Sequence, residues 1–541
     1  MDFQRLFLFL IFSFSALLLW DGWQRYQHPV LQTISTTTTE NRSLPQPSIN
    51  NAHSTDIAKN LEKQTSLQGR KVVVRTDNLL VEINTLGGDI QRVELLHHKD
   101  AIDKNKPLVL IQQREDLTYI AQTGLIGEGL PTHNTLLTSE SDEYHLTDGK
   151  DSIVVKLVAS PTISKVLTFH RGSYLIDVGY EIENKGSLPL STSAYYQLVR
   201  NEGASTGESK MVPTYTGPAI YTEQEKFQKV EFSSIEKNKV NYPKNADNGW
   251  VAMLQHYFVA AWLPADKINR EYYSKSLGNK LYSIGAILPV TTIAPGQKGG
   301  ISASLYVGPA TSKLDVIAPG LDRTVDYGWL TIIATPLFWL LTQIQSWVQN
   351  WGAAIIILTI LIKLAFFPLS AASYRSMARM RIVAPKLEKI KQQYSDDREK
   401  LNRAMMELYK TEKINPLGGC LPMIIQIPVF ISLYWAILSS VELRHAPFFG
   451  WITDLSSADP YYVLPAIMGI SMFIQSKLSP APPDPMQAKL MQLMPIIFSV
   501  VFFFFPAGLV LYSVVNNVLS ITQQWYITHK QETGQSVAIK S

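Results

Sequence analysis

Residues 351–369 read WGAAIIILTILIKLAFFPL, with Lys363 as the single charge. As a helix rising about 1.5 Å per residue, this run is long enough to cross a hydrocarbon core about 30 Å thick. A straight helix starting at Trp351 carries the Lys363 Cα about 18 Å along the span, past the midpoint. A cation near a helix centre costs about 2.5–3.5 kcal/mol on the insertion scale. The charge either snorkels to the headgroups on its own stem, or it faces water or a partner between helices and works there. Thr359 lies one turn earlier on the same face, which makes a polar stripe.

Outward from this run, apolarity is segregated along the 541 residues. The averages of 46% hydrophobic and 17% charged residues hide that segregation. Residues 21–325 read as soluble and 350–526 as membrane. A net charge of +4 gives no argument for nucleic acid. A single cysteine, Cys420, excludes an internal disulfide. No Cys/His cluster has metal-ligand spacing, so neither a metal nor another cofactor is expected. No nucleophile elbow or P-loop is present, so no catalytic residues are assigned and no small-molecule substrate is expected.

Residues 1–27 contain an apolar run, 6–20, followed by DGWQR and no small-x-small cleavage site. They read as a retained signal-anchor. Residues 28–68 are rich in Thr, Ser, Asn, Gln and Pro and read as a flexible linker. Residues 69–325 alternate as in VVVRT, LLVEINT, YLIDVGYEIEN and SASLYVG, with turn signals such as LGGD at 86–89 and APG at 294–296. Many short strands at this spacing predict an antiparallel β-sandwich. Residues 326–350 hold Pro336, a cluster of Gln, and Trp329, Trp339 and Trp347. They read as an amphipathic helix lying on the bilayer surface.

Further spans are expected at 417–440, 461–477, 491–505 and 509–527. The segment 371–416 carries Arg375, Arg379, Arg381, Lys386, Lys389, Lys391, Arg398, Lys400, Arg403, Lys410 and Lys413, whereas the loop 441–460 has only Arg444. The positive-inside rule puts the first in the cytoplasm and the second outside. The β-domain then lies outside and the N-terminus inside, and the tail 531–541 is cytoplasmic. The basic segment predicts a helical hairpin, with Asp396 and Glu399 as the capping box of its second arm. The hairpin reads either as a solvated face or as a docking surface for an acidic or RNA-bearing partner. Within the spans, Thr359, Gln426, Ser432, Gln475, Ser476, Tyr512, Ser513, Asn516 and Asn517 are uncharged polar groups. Each alone suits helix packing. Together with Lys363 they predict a wet cavity between helices. No acidic residue in the spans neutralises Lys363, which argues against a proton relay.

Several longer motifs carry a resemblance. They are NPLGGCLP at 415–422, QIPVF at 426–430, MARM at 377–380, VELR at 441–444, DPMQ at 484–487 and FPAGLVLY at 505–512. In these the chain resembles YidC-type membrane protein insertases, densely over 320–530 and more loosely outside it. The anchor and large outer domain match the Gram-negative form. The resemblance implies a polytopic α-helical membrane protein: an N-terminal anchor and a five-helix insertase core (351–530), with a large all-β periplasmic sandwich domain. It implies a groove open to cytoplasm and lipid in which one cation captures nascent inner-membrane proteins, without nucleotide hydrolysis. Implied partners are those clients, Sec translocon components, the ribosome and signal recognition machinery, and membrane lipids. Lys363 stands where the family usually has arginine, and Ser513 follows Tyr512 where paired tyrosines are common. The expected groove residues are Lys363, Thr359, Gln426, Ser432, Tyr512 and Ser513. Ile427, Phe430 and Met468 are expected along the path of the sliding client helix. Arg375, Arg379, Arg381, Lys386, Lys389 and Lys391 are the expected docking residues. The rival reading is a secondary transporter with an outer sensor domain, which needs an acidic coupling site and a repeated span pattern. A third is an anchored carbohydrate enzyme.

Overall fold

Leu79–Asn84, LLVEIN, buries every second side chain, as a strand with one face on a core must. The same alternation recurs through the N-terminal half of the computed structural model. The structure describes residues 69–203, 214–394, 397–412, 421–478 and 485–538. The expected anchor, linker and Cys420 lie outside the described residues, as do Asp396, Lys413 and the extreme C-terminus.

Two large sheets face one another. The first orders Asn245–Ala246, Arg270–Gly278, Leu281–Pro289, Ser193–Asn201, Thr118–Ile126, Pro107–Gln113, Asp89–Lys99, Leu79–Asn84, Lys71–Arg75 and Glu143–His145. The second orders Lys226–Lys229, Gly217–Thr222, Trp250–Gln255, Phe258–Pro264, Lys298–Pro309, Leu175–Glu183, Ile163–His170, Ser152–Ser160 and Thr138–Ser139. Among the described strands the pairing is antiparallel except for Glu143–His145 on Lys71–Arg75. The inner faces contribute Val81, Leu198, Ile284, Leu305 and Trp262, all fully buried. The Trp262 indole N–H donates to Gln197 O at 3.0 Å, so the largest core ring leaves no orphan donor. This is the all-β sandwich that the alternation predicts.

Among the described residues eight long helices follow: α1 Thr331–Val348, α2 Trp351–Ala365, α3 Phe367–Gln393, α4 Arg398–Thr411, α5 Leu421–Ser439, α6 Val463–Leu478, α7 Pro485–Val501 and α8 Ala507–Ala538. α1 buries Ala334, Phe338, Leu341 and Ile344, spaced for one helical face. Its other face leaves Ile332, Trp339 and Trp347 exposed. Gln349, at φ 54°, ends α1 in a left-handed turn, and the Asn350 side chain caps α2 by accepting from Ala353 N.

Two local expectations change. The run 351–369 is not one straight helix: it breaks at Phe366, and the pair Trp351–Ala365 and Phe367–Met380 is bent by 67°. Pro368 explains the break, since it has no N–H to bond Leu364 O, its ring crowds that carbonyl, and it suits the first turn of a new helix. Lys363 therefore sits in the last turn of its helix, just before the break. The cap of the second hairpin arm is Asp397, not Asp396: its carboxylate accepts from Glu399 N and Lys400 N. Among the described residues no single helix is long and apolar enough to cross a membrane, but the bent pair passes together.

The sandwich meets the helices through the turn at His256–Tyr257 and the loop after α5. His256 Nε2 lies 2.9 Å from Leu438 O. The Arg444 guanidinium stands over the Phe258 ring at 5.6 Å, and His98 meets that ring edge-on at 5.3 Å. Burial, then the charges of Arg444 and His97, pull His98 down from 6.5 to about 4. Above pH about 6.5 His98 is neutral whether folded or unfolded. Between there and about 4 only the unfolded chain takes the proton, so stability falls as pH falls. The apparent Tm is expected to drop from pH 7 to pH 5, and His98→Phe should flatten that slope in thermal scans at the two pH values.

Candidate functional site

Lys363 ends α2, where carbonyls lack helical partners and the dipole favours a cation. Its ammonium donates to Ser520 Oγ of α8 at 2.7 Å. Ser520 is buried and donates in turn to Asn516 O, one turn back, at 2.7 Å. Tyr374, two turns into α3, is buried against Ile527 of α8. Among the described residues no carboxylate pairs with Lys363. The cation is held by hydroxyl oxygen alone.

An open cleft with about 360 Å³ of empty space is lined by Ile362, Lys363, Phe366, Leu369, Ser370, Gln426 and Val429. The bend at Phe366 creates it, because α3 turns away from the line of α2. The Gln426 amide on α5 donates to the Tyr512 hydroxyl on α8. Tyr512 is buried and its ring lies 6.2 Å from that of Phe430. Lys363 and Gln426 thus share one cleft, with Tyr512 tied to it from behind.

The remaining expected groove residues take other positions. Thr359 is buried and donates to Ile355 O on its own helix at 2.6 Å. Ser513 does the same to Leu509 O at 2.9 Å. Both satisfy themselves by bonding back one turn. Ser432 is fully buried and its hydroxyl has no hydrogen-bond partner. Ile427 is 51% exposed. Phe430 is half-buried between Tyr512 and Phe502. Met468 is 5% exposed and packs inside the helices, on the α6 face that also buries Leu464 and Ser471. In the hairpin, Arg375, Arg379, Lys386 and Lys389 are exposed on α3, and Arg381 and Lys391 belong to the same helix. Lys386 bridges to Glu412 beyond α4 at 2.7 Å.

Ser520, Tyr374 and Ser370 escaped the sequence reading. Ser520 was findable: it continues the spacing Tyr512, Asn516, Ser520 along one face of α8. Tyr374 was not, since only the bend brings α3 back to α8.

The sandwich holds a polar chain of its own. Lys165 donates to Gly87 O and Gly88 O at 3.0 and 2.8 Å. Gln122 donates to Asp89 at 2.7 Å and accepts from Gln197 at 2.9 Å. Burial pulls Lys165 below its usual range and Asp89 opposes this. Each of these contacts pins the Gly87–Gly88 turn or bridges strands, as a scaffold requires. Among the described residues no group of His, Cys, Asp and Glu is arranged to hold a metal.

Two family models cover most of the chain: the YidC periplasmic domain over residues 71–340, and the 60Kd inner membrane protein over 343–534. The membrane protein insertase YidC of Nitrosospira multiformis is 54% identical over 556 residues, covering 98% of each chain. That of Methylobacillus flagellatus is 54% identical over 544 residues, also covering 98% of each. The chain belongs to the YidC family of membrane protein insertases. A crystal structure titled as an active YidC insertase with the first transmembrane domain resolved covers 85% of this chain and 95% of its own. Its sequence identity is 18% and its TM-score 0.40. The two YidC regions adjoin within α1, and Lys363, Gln426, Phe430, Tyr512 and Ser520 all fall in the second.

Proposed function

We propose that this chain is an inner-membrane insertase that captures the polar segment of a client at Lys363 and passes the client's apolar helix into lipid. One observation carries the reading: a cation in an open cleft between helices, held by a hydroxyl and, among the described residues, without a carboxylate partner. Such a charge in a membrane core is expensive and gains most from an incoming anion. The membrane core would comprise α2 with the start of α3, then α5, α6, α7 and α8. The basic hairpin α3–α4 would be cytoplasmic and the sandwich periplasmic, as the loop charges require.

In this account the client's acidic or polar tail enters beside Gln426 and Lys363. Its apolar segment slides along Ile427 and Phe430 on α5, with Met468 packed behind as support. Transfer of apolar surface, at about 0.8 kcal/mol per buried CH₂, supplies the driving force. No nucleotide is needed. The exposed Arg375, Arg379, Lys386 and Lys389, with Arg381 and Lys391, would receive clients from the ribosome or signal recognition machinery. The sandwich would meet Sec translocon components.

The test is reconstitution. Purified full-length protein in liposomes is expected to insert a small single-span client, read as a protease-protected fragment, with no nucleotide present. Insertion that requires a hydrolysable nucleotide would overturn this account.

A further inference from the structure

We infer that Ser520 is the positioning residue for the groove cation. This rests on Lys363 being the capture site. Ser520 stands on α8, away from the motifs that mark the family, yet it is where α2, α3 and α8 converge. Its hydroxyl accepts from Lys363 Nζ at 2.7 Å and donates to Asn516 O at 2.7 Å. A serine hydroxyl has one proton and two lone pairs. With the proton spent on Asn516 O, the lone pairs are left to accept from Lys363. Ser520 is 4% exposed, so its hydroxyl is held among these partners and away from solvent. It is therefore a fixed acceptor.

Lysine needs such an acceptor more than arginine does. Its ammonium is a compact charge on a flexible four-carbon stem, with three donors and no planar fork. Free at the end of α2, that stem can swing out of the cleft toward the headgroups. Bonded to Ser520, it spends one proton there and keeps two for the cleft that Gln426 and Ser370 line. The pairing also links the cation to the bend. Lys363 lies just before Phe366, so the bond to Ser520 ties the last turn of α2 to α8 beside the 67° break. Gln523 Nε2 adds a longer bond, 3.5 Å, to Phe367 O at the break itself.

A purely structural role predicts something different. If Ser520 only joins helices, its loss should impair every client alike.

The experiment compares two versions of one single-span client, with an acidic or an uncharged tail, at matched insertase levels. Ser520→Ala is expected to lower insertion of the acidic version about tenfold, the size of one hydrogen bond to a charged group, and to spare the uncharged one. Ser520→Thr, which keeps the hydroxyl, should restore the acidic client. In a Lys363→Ala background, Ser520→Ala should add nothing. Equal loss for both clients, or no loss for either while Lys363→Ala still discriminates between them, overturns the inference alone. If Lys363→Ala treats the two clients alike, the capture reading itself falls.

Discussion

Lys363→Glu is expected to cut insertion of an acidic-tailed single-span client by well over about tenfold, while Lys363→Arg stays close to the parent. Two unit charges 4 Å apart at an effective dielectric of 20 interact by about 4 kcal/mol, and about 1.4 kcal/mol already makes a tenfold change. The cleft is open, so water screens part of this, but reversal turns the whole attraction into repulsion. Glutamate also reverses the match with the carbonyl end of α2, where a cation is favoured. Arginine keeps the charge and loses only the fit to Ser520. Complementation of a depleted strain, with client insertion followed by protease protection, checks both variants.

Arg270→Met is expected to destabilise the sandwich by roughly 3 kcal/mol or more. The Arg270 side chain is 2% exposed. Its guanidinium donates to the carbonyls of Ile268, Gly249, Pro264, Asp247 and Ala265 at 2.6–3.3 Å. The carbonyls of Ile268, Gly249 and Ala265 lie outside the strands, with no ladder to satisfy them, and one planar fork supplies their donors. Methionine fills the volume and supplies no donor, so buried acceptors are orphaned. Arg270→Lys, with three donors, should recover only part of the loss. Thermal unfolding and limited proteolysis of the full-length protein would show it, with a lowered Tm and early cleavage near 245–270.

The sandwich was legible because its signal is local. Alternation in LLVEIN and YLIDVGYEIEN sets which side chains face inward, and turn residues set where the strands stop. The helices were legible as elements for the same reason. The course of the first one was not. Periodicity shows that 351–369 is apolar and helical, but Pro368 decides that it bends, and the bend leaves Lys363 near a helix end. The groove was half legible. Lys363, Gln426 and Tyr512 stood out as polar groups in apolar runs and do converge. Thr359 and Ser513 stood out equally, yet they bond to their own helices, because a hydroxyl four residues from a carbonyl needs no neighbour. Met468 faces inward for a reason no motif reveals: α6 buries that stripe against its neighbours. Lys363 and Ser520 are joined only through tertiary structure, so spacing gave no hint of their contact.

The most direct measurement of electrostatic capture is a reciprocal charge swap. Lys363→Glu would be paired with a client whose tail carboxylates are replaced by lysines, and insertion compared with all four combinations of insertase and tail. Capture by Lys363 predicts that each mismatched pair fails and that the doubly reversed pair recovers much of the parental level. Normal insertion of the acidic client by Lys363→Glu would contradict it.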